Sequence, residues 1–228
     1  MMKRPFLYPI APLPLLALLI CAALAYSTIP PLEPLEWFAF SQEDELEDWS
    51  EKVLNGKVAY WIDYIGNNGF LHSRSIKACS AIYRKVTIDI DELPMVSWKW
   101  SVVQFPDKPA PEFDDYPARL YVCFPGISFS RSKFLEYVWD RNQEKESVLT
   151  GAAENIKIIV VRSGDCEEGL WCIEERNIHD DYVMAFGAEP PKRVRAIAIM
   201  SDADGTESSA EALFDDIKVG YYVFSQNK

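Results

Sequence analysis

The feature that most constrains this chain is a succession of short stretches rich in β-branched and aromatic residues, each closed by a turn signal. Val86 to Ile90, Val96 to Val103, Ala118 to Phe124 and Phe134 to Trp139 are such stretches. Ile156 to Ser163, Leu170 to Asn177, Val194 to Met200 and Phe214 to Phe224 continue the series. Pro106-Asp107, Pro125-Gly126, Ser163-Gly164, Gly187 and Asp204-Gly205 punctuate it. No helical pattern alternates with these strands, which argues against a parallel α/β sheet. Many short strands at fairly even spacing predict an all-β antiparallel sandwich of the jelly-roll type. Two short helices are predicted beside it: the acidic Gln42 to Trp49, and Asp180 to Phe186, which starts on Asp-Asp and stops at Gly187.

The N-terminus reads as an address rather than as structure. Lys3 and Arg4 form a basic start, Leu13 to Leu24 an apolar stretch, and Ala23-Leu24-Ala25 a small-x-small cleavage pattern. Residues 1–25 are therefore expected to be a signal peptide cleaved after Ala25, residues 26–36 an extended proline-rich linker, and residues 37–228 one sandwich domain. The expected compartment is the periplasm or the exterior. A retained N-terminal anchor is the competing reading, against which Pro9, Pro12 and Pro14 interrupt the apolar stretch. Cys21 suggests lipidation, but Ile20 stands where a small residue is wanted.

Charge narrows the partners. Lys plus Arg total 23 against 35 Asp plus Glu, a formal net charge of −12. Removing Met1 to Ala25 takes away only Lys3 and Arg4 among the charged residues and leaves −14. Such a chain is ill suited to neutralising nucleic-acid phosphates or docking on anionic lipid, so no nucleic acid and no membrane beyond the export signal are expected. Four cysteines remain after the signal. Cys166 and Cys172 flank Glu167-Glu168-Gly169 and are placed to clip a hairpin, while Cys79 and Cys123 are either a second pair or small buried hydrophobes. Without Cys-x-x-Cys, and with only His72 and His179, neither a structural zinc site nor a redox centre is expected.

Period-two alternation sorts the strand faces. Trp98 and Trp100 share one face, opposite Ser97, Lys99 and Ser101; Leu120, Val122 and Phe124 oppose Arg119 and Tyr121. Arg162 falls on the face of Ile158 and Val160, and Trp171, Ile173 and Glu175 oppose Cys172, Glu174 and Arg176. Several strands thus carry one apolar and one polar face. Trp98, Trp100 and Trp139 read as core residues, with sugar stacking as the other role open to them.

A series of blocks then resembles an exported bacterial family known as domain of unknown function 3047. They begin with Asp114-Asp115-Tyr116-Pro117-Ala118-Arg119-Leu120-Tyr121-Val122 and continue through Tyr137-Val138-Trp139, Val160-Val161-Arg162-Ser163-Gly164 and Glu174-Glu175-Arg176-Asn177. Asp181-Tyr182, Phe186-Gly187, Glu189-Pro190, the run from Ala198 to Thr206 and Asp215-Asp216-Ile217 complete them, so the likeness spans about Ala81 to Lys218. The resemblance implies a fold similar to jelly-roll carbohydrate-binding and galactose-binding modules, and implies no reaction. The insertion Gly126 to Lys133, rich in Ser, departs from the family pattern.

Three clusters carry candidate chemistry. Asp115, Arg119 and Tyr121, beside Asp114, offer a carboxylate, a guanidinium and a ring for sugar hydroxyls, or else pin a loop to a strand end. Arg162, Glu175, Arg176 and Asn177 extend the same polar surface; Glu174 and Glu175 point to opposite faces and cannot act as a facing acid–base pair. Asp202-Ala203-Asp204-Gly205 resembles half of a calcium loop, with Asp215 or Asp216 to complete it, or else an ordinary Asp-Gly turn. The expected ligand-binding set is Asp115, Arg119, Tyr121, Arg162, Glu175, Arg176, Asn177 and Asp202, with Asp202 and Asp204 as metal candidates. No catalytic residue is assigned. The leading expectation is an exported, non-catalytic sandwich that binds a glycan or other polar ligand, an acidic one on its Arg content, with Arg119 and Arg176 dispensable for stability. The alternatives are a polysaccharide hydrolase or lyase using Glu175 or Asp202 with Asp115, and an envelope assembly protein that binds a protein partner.

Overall fold

A computed structural model describes residues 31–90, 95–107, 114–128, 131–165, 167 and 169–222. The expected signal peptide and Cys166 of the expected clip lie outside the described residues. In chain order the strands are β1 (Leu32–Phe38), β2 (Ser50–Asn55), β3 (Ala59–Ile65), β4 (Asn68–Ile76), β5 (Cys79–Asp89), β6 (Met95–Gln104), β7 (Ala118–Phe124) and β8 (Lys133–Asp140). They continue with β9 (Val148–Thr150), β10 (Ile156–Ser163), β11 (Cys172–Asn177), β12 (Arg193–Asp202) and β13 (Ser209–Tyr222). A 3₁₀ helix (Glu43–Asp48) lies between β1 and β2, and α1 (Ile178–Phe186) follows β11 directly.

Two sheets form the sandwich. The six-stranded front sheet runs β11-β6-β13-β4-β3, with β1 also paired to β13; the seven-stranded back sheet runs β2-β5-β12-β7-β8-β10-β9. The described pairings are antiparallel except for β8 with β10, which are parallel. The short β9 hairpins onto the outer edge of β10, so that β10 enters beside β8 in the same direction.

The inner faces interdigitate around large aromatics. Trp98, Trp100, Tyr137, Trp139 and Phe214 are fully buried. Trp98 meets Trp100 edge-on at 5.2 Å and Tyr137 at 5.3 Å, and Trp100 meets Trp139 at 5.9 Å between ring centroids. These three tryptophans are core, and truncating any of them to Ala costs about 3–5 kcal/mol. A polar seam crosses the same interior. Ser73 of β4 and Ser201 of β12 meet hydroxyl to hydroxyl at 2.6 Å, with the carbonyls of Ala212 and Pro117 beside them, so one hydroxyl donates to the other and the second to its carbonyl.

Two local readings are revised. Residues 32–36, expected in the linker, belong to β1, which pairs with β13 from Leu32↔Tyr222 to Phe38↔Ile217. Its one proline, Pro34, is compatible because β1, among the described residues, pairs with β13 alone, and the register shifts between Pro34 and Glu36. Gly220 makes the approach possible, since a Cβ there would stand 1.9 Å from the carbonyl oxygen of Glu33. The second helix starts earlier than Asp180: Asn177 caps it, its side chain accepting from the N–H groups of His179 and Asp180, while Gly187 ends it at φ 63°.

Candidate functional site

The residues singled out in sequence fall into separate places. Asp114–Arg119 and Asp202–Thr206 do converge, at the ends of β7 and β12. There Arg119, expected on an open polar face, is 2% exposed. Its guanidinium donates to Glu136 at 2.6 Å and to Asp202 at 2.5 Å, reaches the Asp114 carbonyl, and lies over the Tyr116 ring at 4.6 Å. Tyr121 joins the same group half-buried, its hydroxyl 3.4 Å from Arg119 and 3.5 Å from the Met200 sulfur. Tyr116 and Leu149 pack on Val138, Ile158 and Val160 and cover this part of the back sheet's outer face.

The carboxylates in this cluster are turned inward to hold loops. Asp115 accepts from the N–H groups of Gly205 at 3.1 Å and Thr206 at 2.7 Å and from the Thr206 hydroxyl, so it closes the Asp204–Glu207 turn. Asp202 accepts from the Tyr116 N–H at 2.8 Å. Burial pushes Asp202 up to about 7 against the pull of Arg119, and raises Glu136 for the same reason. A cleft of about 370 Å³ opens beside Asp115, Trp139 and Arg141, but Arg141 lies over the Phe105 ring and pairs with Asp165 at 2.6 Å.

The calcium expectation does not fit this geometry. Ligand atoms of Asp202, Asp204 and Cys79 lie within 4.8 Å of one another, but a thiol is a soft donor that calcium does not select. Asp202 already neutralises Arg119, and Asp204 accepts from the Asn55 amide at 2.9 Å. Asp215 and Asp216, expected to complete the loop, sit on β13 in the other sheet, where Asp216 holds Lys99 at 2.5 Å. Cys79 and Cys123 are unpaired thiols rather than a disulfide.

The second group divides between scaffold and solvent. A bulge between Val160 and Arg162 reverses the parity of β10, so Arg162 lies over the Trp139 ring and bonds Glu174 at 2.5 Å instead of joining Ile158 and Val160. Glu174 also accepts from the Trp100 indole at 3.1 Å. Arg176 grips Asp181 at 2.6 and 3.0 Å and Glu146 at 2.8 and 3.0 Å, and thereby ties β11 to α1 and to the segment before β9. Asn177 is the cap of α1. Glu175 is exposed on β11.

What remains facing solvent with ring and polar groups together is the outer face of the front sheet. There Trp61 of β3 stacks on His72 of β4, centroids 4.0 Å apart and planes 25° from parallel. His72 is held between Asp63 at 3.2 Å and Glu211 of β13 at 2.8 Å. The Tyr64 N–H, and after it His72, hold the Asp63 carboxyl below its usual range. Lys99, Asp215 and Asp216 follow across the same face, and Trp171 packs edge-on against Phe70 at 5.5 Å. Trp37 of β1 is 57% exposed, donates to Asp216 at 3.0 Å and lies under the Lys218 ammonium. Beside Trp61, a groove of about 520 Å³ runs along the β3 edge between Trp49, Glu51, Lys57 and Tyr60.

Sequence reasoning missed Trp61, Asp63, His72 and Glu211. A signal was present: Trp61 and Asp63 alternate with the inward Tyr60 and Ile62, and Gly66-Asn67 makes a two-residue hairpin turn between β3 and β4.

Residues 47–218 match the family described as "Protein of unknown function (DUF3047)". No curated protein matches the chain in sequence. Among solved structures, the chain is similar to a family 11 carbohydrate-binding module from Clostridium thermocellum in complex with a β-1,3-1,4-mixed-linked tetrasaccharide. That match has 12% identity and a TM-score of 0.44, over 77% of this chain and 90% of that one. It is also similar to a carbohydrate-binding module that recognises mannan, at 11% identity and a TM-score of 0.42, over 85% and 99%. A third is the K3 cleaved adhesin domain of Lys-gingipain from Porphyromonas gingivalis W83, at 9% identity and a TM-score of 0.45, over 82% and 99%.

Proposed function

The chain belongs to the DUF3047 family of proteins of unknown function, and we propose that it is an exported, non-catalytic β-sandwich that binds a glycan on the outer face of its front sheet. The observation that carries this reading is the Trp61–His72 stack with a carboxylate at each ring nitrogen of His72, partly open to solvent beside the β3 groove. An indole that is partly exposed offers an apolar platform for the C–H face of a pyranose. Carboxylates beside it, which accept only, take the donated hydroxyls of the same sugar. The hydrogen bonds to His72 fix its ring and so hold the platform at one angle before any ligand arrives.

Export is supported by the N-terminal address in the sequence. Among the described residues, no helix is long and apolar enough to cross a membrane. The carboxylates considered for hydrolysis serve other purposes: Asp115 and Asp202 are bonded into loops of the back sheet, and Glu175 stands on the front sheet.

A glycan-array screen of the purified chain, repeated with chelator, tests the reading. Binding is expected to be indifferent to calcium. Trp61→Ala is expected to weaken it at least about tenfold, or 1.4 kcal/mol, while moving the melting temperature by only a few degrees, because Trp61 lies at a sheet edge and is partly exposed. Silence across the array, or binding that Trp61→Ala leaves intact, overturns the assignment; stoichiometric recovery of one envelope protein would then favour the protein-partner alternative.

A further inference from the structure

Resting on that reading, we infer a ligand class: the front-sheet face takes neutral or amine-bearing glycans and turns polyanionic ones away. The arginines that suggested an acidic ligand are each paired with carboxylates, Arg119 to Glu136 and Asp202 in the interior, and the partly exposed Arg162 to Glu174 and Arg176 to Glu146 and Asp181. None of them presents an open fork on the front-sheet face: Arg119 is buried, Arg162 stands on β10 of the back sheet, and Arg176 is bonded through Nε and both Nη atoms; paired guanidinium donors are the usual recognition element for a uronate or sulfate.

The cations that do lie on this face are answered by carboxylates of the face itself. Lys99 is 2.5 Å from Asp216 and 4.0 Å from Asp215, Lys218 is 3.5 Å from Asp216, and Arg74 is 3.5 Å from Glu211. Glu211 is shared with His72, whose other nitrogen meets Asp63. In the adjoining groove Lys57 pairs with Glu51 at 2.9 Å. With Glu175 added, acids outnumber lysines and arginines on the sheet face, within a chain of net charge −12. A polyanion approaching it meets a repulsive field and, among the described residues of the face, cations that each already stand against a carboxylate. A neutral sugar meets an array of acceptors for its hydroxyls, and a free amino group gains a carboxylate partner.

The test is an array carrying matched backbones that differ in charge: unmodified against carboxymethylated β-glucan, and chitin against chitosan oligomers, each probed in low and physiological salt. The expected result is that neutral or amino members bind and the acidic partner of the same backbone binds at least tenfold more weakly, with the gap narrowing as salt rises. Acidic members bound as tightly as their neutral partners, through a site that Trp61→Ala removes, would overturn the ligand class and leave the glycan site standing. Absence of binding to every member would overturn both.

Discussion

Replacing Arg119 by Met tests the reading of the buried cluster most directly, because the sequence and the structure forecast opposite results. Read as a surface ligand contact, Arg119 is dispensable to stability. In the structure its side chain is 3% exposed, between Glu136 at 2% and Asp202 at 5%. Met keeps much of the aliphatic volume and removes the charge, leaving two carboxylates with no cation in a dry setting. Breaking a buried pair in this way costs about 3–5 kcal/mol. For a domain of this size each kcal/mol moves the melting temperature by about 2–4 °C, so a fall of about 6–20 °C is expected by calorimetry. The deficit should shrink at pH 5, where protonating the stranded carboxyls is cheap, and should be partly recovered by adding Glu136→Gln and Asp202→Asn. A melting temperature within about 2 °C of the parent would refute the argument; a loss independent of pH would assign it to packing instead.

Other consequences can be checked in the same melts. Because burial raises Asp202 to about 7, its contribution is fully present below the unfolded value near 4 and is lost as pH rises to 7; Asp202→Asn should flatten the decline of stability over that window. Gly220→Ala should expel β1 from β13 and expose Leu32–Phe38 to limited proteolysis, since its Cβ would collide with the Glu33 carbonyl. Asn177→Ala, which removes the acceptor for two N–H groups at the start of α1, should cost about 1 kcal/mol. Cys123, whose thiol burial pushes up to about 12, should resist alkylation until the protein unfolds.

How far the fold was legible depends on where the apolar alternation was strong. Ala118–Phe124 and Ile156–Ser163 have the same ends in sequence and structure, because β-branched and aromatic residues fill both of those strands. β4 went unread for a physical reason: it turns Ser73 and Ser75 inward, where Ser73 meets Ser201 and the Ala212 carbonyl and Ser75 donates to the Ala78 carbonyl rather than packing apolar surface. A strand whose buried face is partly hydroxyl looks, residue by residue, like a loop. β1 was hidden by Pro34 and by Pro30 and Pro31 just before it in sequence; a proline within a strand is tolerated at an edge.

The candidate site shows a deeper limit of the alternation argument. Period two states which side of a sheet a residue takes, and that was right for Arg119 and Tyr121. It is silent on whether that side is wet. Asp114–Pro117 and Leu149 fold over part of the back sheet's outer face, and what looked like an open polar surface becomes an internal salt bridge. Among the described residues Trp61 and His72 stay partly exposed on the outer face of the front sheet, so the alternation of β3 and β4 leaves ring and polar groups facing solvent. Charge sharpens the contrast. A buried Arg must be matched by carboxylates or the fold pays several kcal/mol, so an Arg flanked by acids in a strand pattern is already accounted for by the interior. A partly exposed Trp stacked on a His between two acids is not accounted for in that way, which is why the proposed glycan contact is placed there.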